Sequence, residues 1–330
     1  MSRIAVLGAG AWGTALAISL ARRGGHEIML WSHSPVLAAT MAQTGRNATY
    51  LPSATLPGSI HVTADLPVAI FEADILLCVT PSQHLRGVVS HIAPLLTRNQ
   101  ILLSASKGLE DGSFLRMSQV IASITDNPVG VLSGPSFAQE VAIGSPTAIV
   151  AAAADPVLAQ TIQREFTSPS LRVYTNDDIA GVELGGALKN VIALAAGIVH
   201  GLDLGNNSAA ALITRGIAEI TRLAVACGGR RQTLAGLSGV GDLVLTCTGA
   251  LSRNRTVGVE LGKGRKLPEI LAGMNGKVAE GVRCTTAALG LAARYGVEMP
   301  ITEQMAAILH HDKSPKEAIR ELMTRPGRDE

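Results

Sequence analysis

The chain has 330 residues, 47% of them hydrophobic but only 3% aromatic, with a formal net charge of +2. That length exceeds what one hydrophobic core usually organises, so two domains are expected, with interiors built from Ala, Val, Leu and Ile. The near-neutral balance excludes the large basic field of a nucleic-acid or membrane-surface protein, yet leaves room for a local cluster of Arg and Lys serving a small anion.

The N-terminus passes through Ser2 and Arg3 straight into a strand, so no secretory leader is expected. Short, almost wholly apolar runs at 4–7, 27–31, 75–79, 101–104 and 129–132 read as strands buried on both faces of a parallel sheet. Helical patterns at 14–23, 82–96 and 114–124 alternate with them, and 146–152 and 171–174 are candidates for further strands. Strand and helix in alternation imply an α/β fold with a doubly wound Rossmann-type sheet. Beyond about residue 175 the strand pattern stops. Helices are predicted at 177–200, 207–227, 279–295 and 300–310, which makes the C-terminal part an all-α domain. The expected division is a dinucleotide-binding domain over 1–177 and a helical substrate-binding domain over 178–330. The longest apolar run, 191–199, reads as too short to span a bilayer. Cys78, Cys227, Cys247 and Cys284 form no CxxC pair and have no accompanying His cluster, so no metal site or disulfide framework is expected and a reducing cytoplasm is the default. The Ala- and Leu-rich helices fit a homodimer seam and an internal core equally well.

Gly8, Gly10 and Gly13 form a GxGxxG that follows an apolar strand and opens a helix, the context in which that pattern binds a dinucleotide. Gly8 serves the tight turn, Gly10 the approach of the pyrophosphate, and Gly13 the packing of helix on strand. An NAD-specific site would place Asp or Glu at the end of the second strand. Here that segment reads Trp31-Ser32-His33-Ser34, and His33 and Ser34 suit a 2′-phosphate. NADPH is therefore the expected cofactor, with NADH as a possible second, although a plain surface role for His33 is an equal alternative.

Lys107 follows the strand at 101–104 and falls at the sheet's carboxyl edge, where open α/β sheets bind ligands. Gly134-Pro135-Ser136-Phe137-Ala138 follows another strand, and its small residues let backbone amides and a hydroxyl approach a ligand. Lys189 and Asn190 interrupt an apolar helix, so at least one faces the core or a cleft, where an ammonium needs a partner. Gly241-Asp242-Leu243 and Ser252-Arg253-Asn254-Arg255 complete the set; the planar Arg fork suits phosphate, and a solvated helix start is the alternative for the tetrad.

Taken in order, these motifs, with Trp12, Thr14, Val278 and Glu280-Gly281, resemble the bacterial-type NAD(P)-dependent glycerol-3-phosphate dehydrogenases over essentially the whole chain. The resemblance implies reversible reduction of dihydroxyacetone phosphate to sn-glycerol 3-phosphate, which feeds glycerophospholipid synthesis. It implies Lys189 as proton donor or acceptor and substrate contacts from Lys107, Gly134, Ser136, Asp242, Ser252, Arg253 and Asn254. It further implies cofactor contacts from Ala11, Trp12, His33, Lys107, Ala138, Arg253, Val278 and Glu280. Ser32–Ser34 departs from the family by being less basic than in many relatives. In chemical terms, hydride arriving at a ketone carbon leaves charge on its oxygen, for which Lys189 is the expected acid and Lys107 a polarising cation. Asp242 is expected to orient Lys189 and hold the substrate hydroxyl, and Arg253 to clamp the phosphate. The alternatives are a β-hydroxyacid dehydrogenase, which the two phosphate-suited motifs disfavour, and a non-catalytic NAD(P)H sensor, which retention of both lysines disfavours.

Overall fold

A computed structural model describes residues 2–274 and 279–327. The chain forms two compact units, one made of Met1–Glu110 with Leu115–Glu183, the other of Asp111–Phe114 with Leu184–Glu330.

In the first unit the strands are β1 (Ser2–Leu7), β2 (His26–Trp31), β3 (Ile60–Thr63), β4 (Ile75–Cys78), β5 (Ile101–Ser104), β6 (Val129–Ser133), β7 (Thr147–Ala152) and β8 (Leu171–Asn176). The helices between them are α1 (Ala11–Arg23), α2 (Pro35–Thr44), α3 (Leu66–Ile70), α4 (Ser82–Ile92), α5 (Met117–Ala122), α6 (Ala138–Ile143) and α7 (Pro156–Phe166). The strands make one sheet in the order β3-β2-β1-β4-β5-β6-β7-β8. The strands read as apolar are all present, for the expected reason: Ile4, Val6, Leu77 and Leu103 pack into one apolar layer, while their neighbours Ala5, Leu7, Leu76 and Leu102 pack into the other with Leu85, Val89 and Ile121. Each such fully buried large side chain contributes about 2 kcal/mol.

Four features depart from the sequence reading. The sheet is parallel except between β6 and β7. The connection there contains only the six-residue α6, about 9 Å long, too short to carry the chain back along β6 before it re-enters the sheet. β3 was not foreseen, because Ile-His-Val-Thr at an edge has little apolar signal. The helix predicted over 114–124 occupies only Met117–Ala122, since Phe114 sits at φ 60°, outside the helical region. The helix predicted over 82–96 ends at Ile92 and tightens into a 3₁₀ turn at Ala93–Leu95, where Pro94 enters.

The second unit is helical: α8 (Ile179–Gly201), whose first residues belong to the first unit, then α9 (Gly205–Ala226), α10 (Arg231–Leu234), a π-helical turn at Leu237–Gly241, α11 (Asp242–Thr248), α12 (Arg253–Gly262), α13 (Leu267–Ala272), α14 (Glu280–Tyr295), α15 (Pro300–His310) and α16 (Pro315–Met323). The apolar run judged too short for a bilayer is part of a longer helix. α8 has 23 residues and a mean hydropathy of 1.6 over 18 of them, enough by length and composition to cross a membrane. That window is entirely buried within the protein, which identifies α8 as a core helix, with bounds close to the 177–200 read from the sequence. α8 meets α12 through glycines. A Cβ on Gly197 would lie 2.1 Å from the Arg255 carbonyl oxygen, and one on Gly258 would lie 2.0 Å from that of Leu194. Only hydrogen fits at either place, so the two backbones lie in contact.

Candidate active site

The glycine turn after β1 has the geometry the fingerprint requires. Gly8 has φ 130°, and a Cβ there would stand 2.8 Å from the Val79 carbonyl oxygen. A Cβ on Gly13 would fall 1.9 Å from the Gly8 carbonyl oxygen, so α1 packs on the turn only because Gly13 has no side chain. At Gly10 nothing lies within 4 Å, which leaves its outer face open. α1 begins at Ala11 with no side-chain cap and no acidic residue in its first turn, so its N–H groups and positive dipole end remain for an anion. The buried Trp12 Nε1 has no hydrogen-bond partner. An open cradle, an uncapped helix start and an orphaned donor together fit a dinucleotide pyrophosphate.

One residue that positions this turn escaped the sequence reading. Asn47 is fully buried, and its Nδ2 donates to the Ala9 carbonyl and to Thr14 Oγ1, both at 2.8 Å. It lies 38 residues from Ala9 in the chain, and no local motif marks it. Past β2, His33 is exposed. Ser34 Oγ accepts from Leu37 N at 3.2 Å and so caps α2, whose start stands beside His33.

Further along the same sheet edge, three predicted residues meet. Lys107 Nζ and Ser136 Oγ both donate to the Gly134 carbonyl at 3.0 Å. Gly134 has φ 133°, and a Cβ there would press to 3.0 Å from the Ile149 Cα, so the turn is closed to other residues. Ala138 is the first residue of α6.

In the second unit Lys189, 6% exposed on α8, pairs its ammonium with Asp242, which is fully buried at the start of α11. Asp242 directly follows the π-helical turn, whose wider winding accompanies the bend into α11. Thr246 Oγ1 donates to the Asp242 carbonyl at 2.6 Å. Burial pushes the thiol of neighbouring Cys247 up to about 12, outweighing the opposing pull of Lys189 and Arg255, which favours the neutral thiol.

Ser252 caps α12 by accepting from Arg255 N at 3.2 Å, and Arg253 is exposed at the first position of that helix. Asn254 is buried. Its Nδ2 donates to Asn190 Oδ1 at 2.9 Å, and its Oδ1 accepts from Gly281 N at 3.0 Å. This one side chain therefore ties α12 to α8 and to the start of α14, where Glu280 is the first helical residue. Val278 lies outside the described residues. Among the described residues no group of three or more His, Cys, Asp or Glu side chains is placed to hold a metal.

Comparison with known proteins identifies the family. Residues 3–159 match the family model described as NAD-dependent glycerol-3-phosphate dehydrogenase N-terminus, and residues 178–320 match the corresponding C-terminus model. The glycerol-3-phosphate dehydrogenase [NAD(P)+] of Acidobacterium capsulatum is 60% identical, with all of both chains covered, and that of Koribacter versatilis is 59% identical over 100% of this chain and 99% of its own. The crystal structure of the Coxiella burnetii glycerol-3-phosphate dehydrogenase superposes with a TM-score of 0.94 at 41% identity, covering 98% of this chain and 99% of that one. The chain belongs to the NAD-dependent glycerol-3-phosphate dehydrogenase family.

Proposed function

We propose that the protein is an NAD(P)-dependent glycerol-3-phosphate dehydrogenase, interconverting dihydroxyacetone phosphate and sn-glycerol 3-phosphate. The observation that carries this reading is the buried Lys189–Asp242 pair in a chain that also has an open glycine turn at the head of α1. When bound, the reduced nicotinamide supplies the hydride. The first unit binds the dinucleotide: the α1 amides take the pyrophosphate, and Trp12, Ala138 and the start of α2 beside His33 complete its surroundings. The second unit moves the proton. As hydride reaches the carbonyl carbon, the Lys189 ammonium gives a proton from Nζ to the ketone oxygen, and in the reverse direction it takes one back. Asp242 holds that ammonium in place and balances its charge in a site where neither faces bulk water. Ser252 and Arg253 at the head of α12 anchor the phosphate through hydroxyl, guanidinium and helix amides, and Asn254 fixes that helix end against α8. Lys107, Gly134 and Ser136 form a further polar turn for the substrate, and Glu280 and Val278 belong to the cofactor set.

The product, a phosphorylated glycerol, serves glycerophospholipid synthesis, and the reading places the enzyme in the cytoplasm without a nucleic-acid or membrane partner. The Ala- and Leu-rich second unit is compatible with a homodimer, which sedimentation velocity reports directly. The assay is oxidation of NADPH, and separately NADH, with dihydroxyacetone phosphate and with unphosphorylated dihydroxyacetone. Turnover that requires the phosphate is expected, faster with NADPH because no carboxylate stands at the end of β2. Turnover of 3-hydroxy acids instead would replace this substrate assignment, and cofactor binding without turnover of any ketose phosphate would leave a sensor.

A further inference from the structure

Thr80 stands two residues beyond the end of β4, at the carboxyl edge of the sheet, and is 7% exposed. Its backbone lies against the glycine turn, where a Cβ on Gly8 would stand 3.1 Å from the Thr80 amide nitrogen. Its carbonyl accepts from Ser106 Oγ at 2.5 Å, so its main chain is held from both sides. Yet Thr80 Oγ1 is buried with no hydrogen-bond partner. An unpaired buried hydroxyl is destabilising, and valine would fill the same volume without that cost. A hydroxyl kept at such a place implies a polar group that arrives later.

The strand order locates that group. β1 lies between β2 and β4, so the order reverses there, and ligands of such sheets bind beyond the strand ends at that point. A dinucleotide lays its adenosine half over β1–β3 and its nicotinamide half over the strands that begin with β4. The start of α2 beside His33 belongs to the first half and Thr80 to the second. The hydroxyls of Ser104 and Ser133 are also buried and unpartnered, but they end β5 and β6, one and two strands further from the turn.

We propose that Thr80 Oγ1 hydrogen-bonds the nicotinamide-ribose half of the bound dinucleotide, as a cofactor contact beyond those named above. This rests on the dinucleotide reading of the first unit. The test titrates wild type, Thr80→Ser and Thr80→Val calorimetrically with NADPH and with its adenosine half, ADP with or without the 2′-phosphate, and records the melting temperature of each protein without ligand. The valine variant is expected to raise the NADPH Kd about tenfold, leave the Kd of the adenosine half unchanged, and melt at or above the wild-type temperature. The serine variant keeps near-wild-type affinity. Thr80→Ala reads the same way should the valine protein not be recovered folded. An unchanged NADPH Kd, or equal weakening of both ligands, overturns the contact. A lowered melting temperature with unchanged affinity also overturns it and assigns the hydroxyl to a buried structural water. Wild type that binds neither ligand overturns the dinucleotide reading itself, and the contact with it.

Discussion

At the residue scale, two candidate site cations of the second unit differ in exposure and so in expected role. Lys189 is buried against a carboxylate, whereas Arg253 is exposed at a helix start. Lys189→Ala removes the proton-transfer group and should lower kcat by about 10²- to 10⁴-fold while NADPH affinity, measured by fluorescence titration, stays at the wild-type value. Arg253→Ala removes a charged hydrogen-bond donor for phosphate and should raise the KM for dihydroxyacetone phosphate by roughly 10- to 100-fold, with a smaller effect on kcat. Steady-state kinetics on the two variants separates the roles. A kcat defect confined to Arg253→Ala would exchange them.

At the element scale, helix contacts place the chemistry. The Gly197–Gly258 crossing brings α12 onto α8 with no side chain between them, and this allows Asn254 to reach Asn190. Gly258→Ala would ordinarily stabilise a helix by about 1 kcal/mol, but here the new Cβ meets a carbonyl oxygen at 2.0 Å. The helices must separate, and a net loss of about 3 kcal/mol is expected, read as a lowered denaturation midpoint.

The N-terminus of α15 is held differently. Buried Glu219 on α9 accepts from Ile301 N and Thr302 N at 2.9 Å and from Thr302 Oγ1 at 2.6 Å. Burial still outweighs these donors and holds the carboxyl above its usual 4.5. The folded chain then binds more protons than the unfolded chain just above that pH, so this group's stabilising contribution is largest below 4.5 and declines as pH rises through the raised value. Melting temperatures of wild type and Glu219→Gln between pH 4 and 8 should show wild type losing ground to the variant as pH rises. The opposite slope would mean that the three donors outweigh burial.

At the scale of the whole molecule, the second unit is not one continuous stretch of chain. It includes Asp111–Phe114 from the first half of the sequence. The Phe114 ring occupies the space where a Cβ on Gly290 would sit, and the Arg294 guanidinium lies 4.5 Å from the ring centroid. Arg294 Nη1 also donates to the Ser113 carbonyl at 2.7 Å. A fragment covering only 184–330 lacks this peg, and it should melt less cooperatively and at a lower temperature than the same helices in the full chain. Phe114→Ala in the full chain should cost about 2 kcal/mol, the ring being half-buried. A fragment as stable as the full chain would show the peg to be dispensable.

The sequence by itself determined the apolar strands of the sheet, the glycine turn, the helical second half and the polar break in its first helix. Each of these rests on a local signal: apolar runs in buried strands, glycines at fixed spacing, a Lys-Asn pair in an otherwise apolar helix. Tertiary structure alone decided what depends on contacts between distant segments. Asn47 is invisible in the sequence because its partners lie at Ala9 and Thr14. The pairing of Asn190 with Asn254 was likewise not legible, because the two residues stand 64 positions apart in the chain. The reversal of β7, the Phe114 peg and the unpaired Thr80 hydroxyl have the same origin. Short-range pattern reports which face of an element must be buried, but not which residue it meets, and hydrogen bonds and close backbone contacts are properties of that meeting.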